Sequence, residues 1–369
     1  MKIAMVFPNR ESEKAISSYS THLVNALKKQ RLKIDELTYK AGSYKSFLRI
    51  LPKFKNYNVV HIQHEYNLLG GYGIPFSLVY NNLKSLRKIK IVTTMHTIPS
   101  LNEKYLENSL KTFLRKLLYK SQNFLIKKVS SSIIAHSNFF ANVLIKEYGF
   151  PKEKVKVFPL GIIKDAKITE KNKAKKELKL DGYVYLIMGN LTEDSGADIF
   201  LEQSKKIGKT ILIVANPLTT NTRNPNRIKE YIDSLKQYVE TNSLRDIVRF
   251  DLFNINDQNP LWWKYLSAAD FLILAYRGNL GSGMFAHAMA TKTPVIGSKN
   301  LFFKDVTKEY GCVKVVEKEG DYPKTVRESL NPKNYKKMVK ECERYLKENN
   351  WFILARKYYD LYNSIKNSF

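Results

Sequence analysis

The chain has 369 residues, 44% of them hydrophobic and 12% aromatic, which suits two folded domains and excludes a disordered polymer. Its two cysteines, Cys312 and Cys342, exclude a disulfide scaffold and a cysteine-based zinc site and fit a reducing compartment. The net charge of +28 asks for an anionic partner, while the lack of zinc-finger spacing, an RNP-like aromatic strand or an Arg-Gly run argues against a dedicated nucleic-acid reader.

In chain order, the strand KIAMVF leads into ISSYSTHLVNALKKQ, where Ile16, Tyr19, Leu23 and Leu27 recur at helical spacing. NVVHIQ, FSLVYNNLKSL, KIVTTMH, LKTFLRKLLYKSQNFLIKKV, SSIIAHS and FFANVLIKEYGF continue the alternation of strand and helix. After the charged TEKNKAKKELKL the pattern restarts with YVYLIMGN, DIFLEQSKKI, KTILIVAN, IKEYIDSLKQYVETN and IVRFDLF. LWWKYLSAAD, FLILAY, GMFAHAMATK and TPVIGS complete it. Such alternation predicts two parallel, doubly wound α/β domains, residues 1–164 and 165–350, followed by an amphipathic, aromatic helix over 351–369. Ligands of such sheets bind at the carboxyl ends of the strands. No signal peptide is read at the start, and no run reaches the roughly 18 apolar residues of a membrane span. The expected location is cytoplasmic, with peripheral membrane association.

Several segments together carry a family resemblance over essentially the whole chain. They are VVHIQHEYNLLGG with KIVTTMHTIPS, SSIIAHSNFFANVLIKEYGFPKEKVKVFPLGI, and LSAADFLILAY with GMFAHAMATKTPVIGS. They resemble the retaining glycosyltransferases of family 4. The resemblance implies the GT-B fold: two Rossmann-like domains facing each other across a cleft, the second holding the nucleotide sugar, with the helix from Trp351 crossing back to the first. It implies transfer of a hexose to a lipid-linked or glycan acceptor with retention of configuration. The donor would be a nucleotide sugar, GDP-mannose first and UDP-glucose second, with no cofactor and no protein-bound metal.

The sequence departs from the family where chemistry is expected. Asn279 and His287 stand where family members carry two glutamates eight positions apart. The diphosphate loop reads GNLTEDSG, with Asn190 for the usual Arg and Ser195 for the usual Lys after Gly189. Ala15 and Ile16 replace the Gly-Gly turn after the first strand. Charge-assisted hydrogen bonds contribute roughly 1.5–3 kcal/mol each, so a donor site without those cations needs substitutes. Arg277, and the helix start at Ser282 and Gly283, are the candidates.

On the first domain, His96 ends a strand where the family places a His against the donor sugar. His61 and His64, three residues apart, point to opposite faces of a strand and have no third ligand fixed by sequence, so they read poorly as a metal site. His61 is expected to pack within the strand end. His64, Glu65 and Tyr66 are expected to face the acceptor side, as are Ala15, Ile16 and His136, the last beside a natural N-cap at Ser137.

The segment LKTFLRKLLYKSQNFLIKKV has no acidic residue. Phe113, Leu114, Leu117, Leu118, Phe124 and Leu125 lie near one helical face, with Lys111, Arg115, Lys116, Lys120, Lys127 and Lys128 around it. An anionic membrane surface is the expected partner, against the plainer reading of a helix packed on its sheet. Three other functions compete with transfer. A non-catalytic GT-B-like partner subunit predicts no sugar-nucleotide binding. Nucleic-acid binding predicts strong salt dependence, and a sugar-nucleotide epimerase fits the HEYN and TTMHT segments less well.

Overall fold

In the computed structural model the described residues are 1–66, 68–71, 75–83, 89–102, 109–215, 225–253, 255–279 and 281–367. The chain divides into two compact units, residues 1–161 with 351–369, and residues 162–350.

In the first unit β1 (Lys2–Pro8), β2 (Lys33–Tyr39), β3 (Val59–His64), β4 (Lys90–Met95), β5 (Ser132–Ala135) and β6 (Val155–Val157) form one sheet. Its order is β2-β1-β3-β4-β5-β6, and every pairing is parallel. The crossovers use α1 (Ala15–Lys29), α2 (Tyr44–Ile50), α3 (Phe76–Leu83), α4 (Ser109–Val129) and α5 (Asn138–Tyr148). Lys84–Leu86 of the expected helix FSLVYNNLKSL fall outside the described residues. Central strands such as β1 and β3 are buried on both faces, β1 as an apolar run and β3 with His61, Gln63 and His64 among its buried residues.

The second unit contains α6 (Lys171–Glu177), β7 (Val184–Gly189), α7 (Ala197–Leu201), α8 (Ser204–Ile207), β8 (Thr210–Ala215), α9 (Pro225–Thr241) and β9 (Val248–Leu252). It continues through α10 (Pro260–Ala268), β10 (Phe271–Leu274), α11 (Gly283–Ala290), β11 (Val295–Ser298), α12 (Leu301–Thr307) and β12 (Val313–Val316). Its sheet runs β12-β11-β10-β7-β8-β9, again parallel, and α13 (Tyr322–Leu330) and α14 (Pro332–Asn349) follow. A core of Tyr185, Phe200, Phe271 and Tyr322 joins sheet and helices.

The final helix, α15 (Trp351–Asn367), belongs to the first unit and packs on α1. Polar contacts fix it there: Tyr358 and Tyr19 share a 2.9 Å hydroxyl–hydroxyl bond, and the Tyr362 hydroxyl lies 2.7 Å from His61 Nδ1. The Trp351 indole sits against Gly161, where any Cβ would come within 2.4 Å of the ring. In each sheet the chain reverses direction beside its first strand, between β1 and β3 and between β7 and β10. Those switch points open the crevices in which doubly wound sheets bind ligands.

Candidate functional site

At the switch point of the first unit, Glu13 turns back onto the start of α1. Its carboxylate accepts from the amides of Ala15 at 3.0 Å, Ile16 at 2.7 Å and Ser17 at 3.2 Å. The free N–H groups of a helix start attract anions, and here the chain supplies its own. Ala15 and Ile16 therefore serve as amide donors to Glu13; the Ile16 side chain is buried in the core. Burial raises the pKa of Glu13 despite these amides. Burial also raises that of Glu65, against hydrogen bonds from Thr97 and Tyr66, and the Glu13 charge adds to the rise. The Glu13 charge thus reaches the Glu65 carboxyl near the strand ends. The sequence signal for Glu13, an acid just ahead of a helix start, was present but passed over.

Three histidines, His64, His96 and His136, stand at strand ends, and a fourth, His61, lies within β3. His96 follows β4, is half-buried, and its Nε2 lies 2.9 Å from Gln63 Oε1. Its ring meets Tyr19 edge-on at 4.8 Å and lies 5.3 Å from His136. Burial, then the neighbouring histidines, pushes its pKa well below the ordinary value. His136 is buried and its Nδ1 lies 2.9 Å from the Phe158 carbonyl. A carbonyl only accepts, so Nδ1 carries the proton and Nε2 is an acceptor. Its pKa falls to about 4, because burial outweighs that bond. His61 is fully buried between the Tyr362 hydroxyl and Thr94 Oγ1, each at 2.7 Å, and burial lowers its pKa to about 3. All these imidazoles are neutral near pH 7, so they offer hydrogen bonds rather than charge. Gln63 and Tyr19, which hold His96, were not among the expected site residues.

His64 and Tyr66 do not stand at an open acceptor face. His64 is the last residue of β3, buried with its ring 5.0 Å from Tyr66 and 5.3 Å from Phe76, and burial lowers its pKa to about 3. Tyr66 is buried and donates to Asn123 Oδ1 at 2.9 Å. The strand extends further than the sequence reading allowed, and the aromatic side of α3 encloses its end. Only Glu65 of this trio is partly exposed.

In the second unit, β7 ends at Gly189 (φ +118°), with Asn190 exposed after it. Ser195 donates its hydroxyl to the Thr192 carbonyl at 2.5 Å, closing a tight turn. It is not presented as a replacement for the family lysine. Gly196 (φ +66°) follows because a Cβ there would lie 1.9 Å from the Ala275 carbonyl oxygen. Arg277, expected to hold phosphate, instead makes a two-pronged ion pair with Asp198 and also donates to the Glu193 carbonyl. Burial pushes Asp198 up, but hydrogen bonds from Arg277 and Tyr231 outweigh it and hold the carboxyl low. The Asp198 bonds raise the Arg277 pKa. Arg277 thus ties the loop after β10 to α7.

Ser282 caps α11, its Oγ accepting from Phe285 N–H at 3.1 Å while sharing a 2.9 Å bond with Tyr276. Gly283 at the helix start is exposed, with open space where a Cβ would lie. Asn279 Oδ1 accepts the Leu301 amide at 2.8 Å, an internal bond. His287 Nδ1 accepts from Trp262 Nε1–H at 3.2 Å, and its ring lies edge-on to Trp262 and Trp263. Among the described residues no group of three or more His, Cys, Asp or Glu is placed to hold a metal ion.

Residues 5–165 match the model of Glycosyltransferase Family 4. No curated protein matches the chain in sequence. Solved structures match over nearly its whole length. HepE of Anabaena, in complex with UDP and glucose, is 14% identical, with 99% of this chain and 100% of that one covered at a TM-score of 0.73. Sucrose-phosphate synthase of Thermosynechococcus elongatus is 14% identical, with 99% of each chain covered at 0.77. WaaG, a glycosyltransferase involved in lipopolysaccharide biosynthesis, is 12% identical, with 97% and 99% covered at 0.63. At these identities the structures speak for the fold. The chain thus has the two-domain fold of these glycosyltransferases, and its residues 5–165 resemble Glycosyltransferase Family 4.

Proposed function

We propose that the protein transfers a hexose from a nucleoside-diphosphate sugar to a lipid-linked or glycan acceptor, with retention of configuration and without a metal. The observation that carries this reading is the family-4 match over the unit in which His96 stands at a strand end, held by Gln63. A UDP-hexose is the first donor, supported by the UDP and glucose bound by HepE, with GDP-mannose second. The donor phosphates would lie at the start of α11, where the first-turn amides of Gly283 and Met284 have no intrahelical acceptor. His96 would hydrogen-bond a sugar hydroxyl. Glu65 and Glu13 would accept from acceptor hydroxyls. The departing phosphate takes the acceptor proton, so rate enhancement comes from positioning and from stabilising that phosphate.

Incubating the protein with UDP-glucose or GDP-mannose and following the anomeric proton by NMR tests this. Release of the nucleoside diphosphate with an α-configured product supports it; no turnover of any donor with any acceptor sinks it. A second reading, a non-catalytic partner subunit, is favoured by one specific observation: Arg277 and Ser195 are both spent on internal bonds. It predicts no nucleotide binding at all.

A further inference from the structure

Helix α4 faces the wrong way for a helix packed on a sheet. Its buried residues are Gln122, Asn123 and Ile126, with Asn123 bonded to Tyr66 and Tyr119 against the Tyr66 ring at 4.6 Å. The opposite side carries Leu110, Phe113, Leu114, Leu117 and Phe124, each 49% to 65% exposed. These recur at i, i+3, i+4, i+7 and i+14, a single stripe completed by Ser121 and Lys128. An ordinary amphipathic helix turns such a stripe inward. Here Gln122 and Asn123 are inside beside Ile126 while the large apolar side chains of the stripe are in water, so the stripe asks for a cover.

The surroundings state the chemistry of that cover. Residues 109–129 contain no Asp or Glu, and Lys111, Lys120 and Lys128 are exposed beside the stripe, Lys128 lying 4.3 Å over the Phe124 ring. Helix α3 packs on α4 and adds exposed Leu78, and α2 packs on α3. The chain has no acidic residue between Glu36 and Glu65, so α2 and the turn after it expose Lys45, Arg49, Lys53 and Lys55 unopposed by local acids. A second copy docked α4 to α4 would set like charges against each other. A nucleic acid would leave the leucines and phenylalanines uncovered.

We propose that α4 lies on an anionic phospholipid bilayer, its apolar stripe entering the boundary between headgroups and acyl chains while the flanking lysines meet lipid phosphates. This deepens the proposed function, since it brings the enzyme to a lipid-linked acceptor. Vesicle binding is nevertheless read without sugar transfer, so either can fail alone.

The test is co-flotation of the full chain with vesicles of phosphatidylcholine, alone or mixed with phosphatidylglycerol. Wild type should float with the mixed vesicles and not with phosphatidylcholine alone. The combined variant Phe113→Ser, Leu117→Ser and Phe124→Ser should bind at least about tenfold more weakly at unchanged Tm, because these side chains support no core. Lys120→Glu with Lys128→Glu should lower binding by at least about tenfold as well. Failure to float with anionic vesicles overturns the proposal, as does undiminished binding by the serine variant. RNA binding or self-association through the same residues, without vesicle binding, overturns it in favour of those partners.

Discussion

His96 is a hydrogen-bonding group and not an acid in this account, since burial and its histidine neighbours keep it neutral. kcat/KM should therefore show no rise or fall from this residue between about pH 6 and 8, and His96→Ala should lower kcat about 100-fold. A bell-shaped profile that vanishes in His96→Ala would contradict the assignment. Acid stability belongs to the residues behind it. His61 and His64 have folded pKa values of about 3, against about 6.5 in an unfolded chain, so the unfolded state binds their protons first. Stability is full above about pH 6.5 and falls as pH drops toward 3. Replacing His64, whose buried Nε2 has no partner among the described residues, by Phe should leave stability at pH 7 within about 1 kcal/mol and make that acid decline shallower. Melting curves across the pH range measure it. Gly196→Ala, with φ +66° and the Ala275 carbonyl in the way, should cost about 2 kcal/mol or more in denaturant unfolding. Little of this was readable beforehand: sequence marks a glycine or a histidine, but not the carbonyl beside it or the aromatic ring that closes over it. Arg277 shows the same limit, because its position after β10 was visible while its partner Asp198, far off in sequence, was not. If Arg277 is a strut, Arg277→Ala should lower Tm and weaken nucleotide binding only in proportion to unfolding. Selective loss of binding at unchanged Tm would restore it as a phosphate ligand.

At the level of elements, the buried strands declared themselves through apolar runs, as in IAMVF and FLILAY. The strands that the sequence reading did not assign, β2, β6 and β12, are all sheet edges. In KIDELTY and VKVV, charged residues alternate with buried ones because one side of an edge strand meets water. Helix α4 was seen as amphipathic, but periodicity gives a stripe without saying which way it faces. Helix α15 was legible from its aromatic content, and its attachment can be measured. A double-mutant cycle of Tyr19→Phe and Tyr358→Phe should return a coupling of about 0.5–3 kcal/mol, since the two hydroxyls bond each other at 2.9 Å. A coupling near zero would mean that packing of α15 on α1, and not this bond, holds the helix.

For the whole molecule, fold and activity were legible to different degrees. Strand–helix alternation, restarting once, is enough to specify two doubly wound sheets. The proposed activity would depend on a few side chains at the strand ends, and there the chain carries Asn279, His287, Asn190 and Ser195 where the family it resembles carries glutamates and cations. The account therefore stands or falls on whether such a site still holds a nucleotide sugar. Calorimetric titration of the full chain with UDP, UDP-glucose, GDP and GDP-mannose decides this most directly. We expect saturable binding of one nucleotide class, with the sugar-bearing form competing with its diphosphate. A folded protein that gives no binding heat with any of the four would contradict the account.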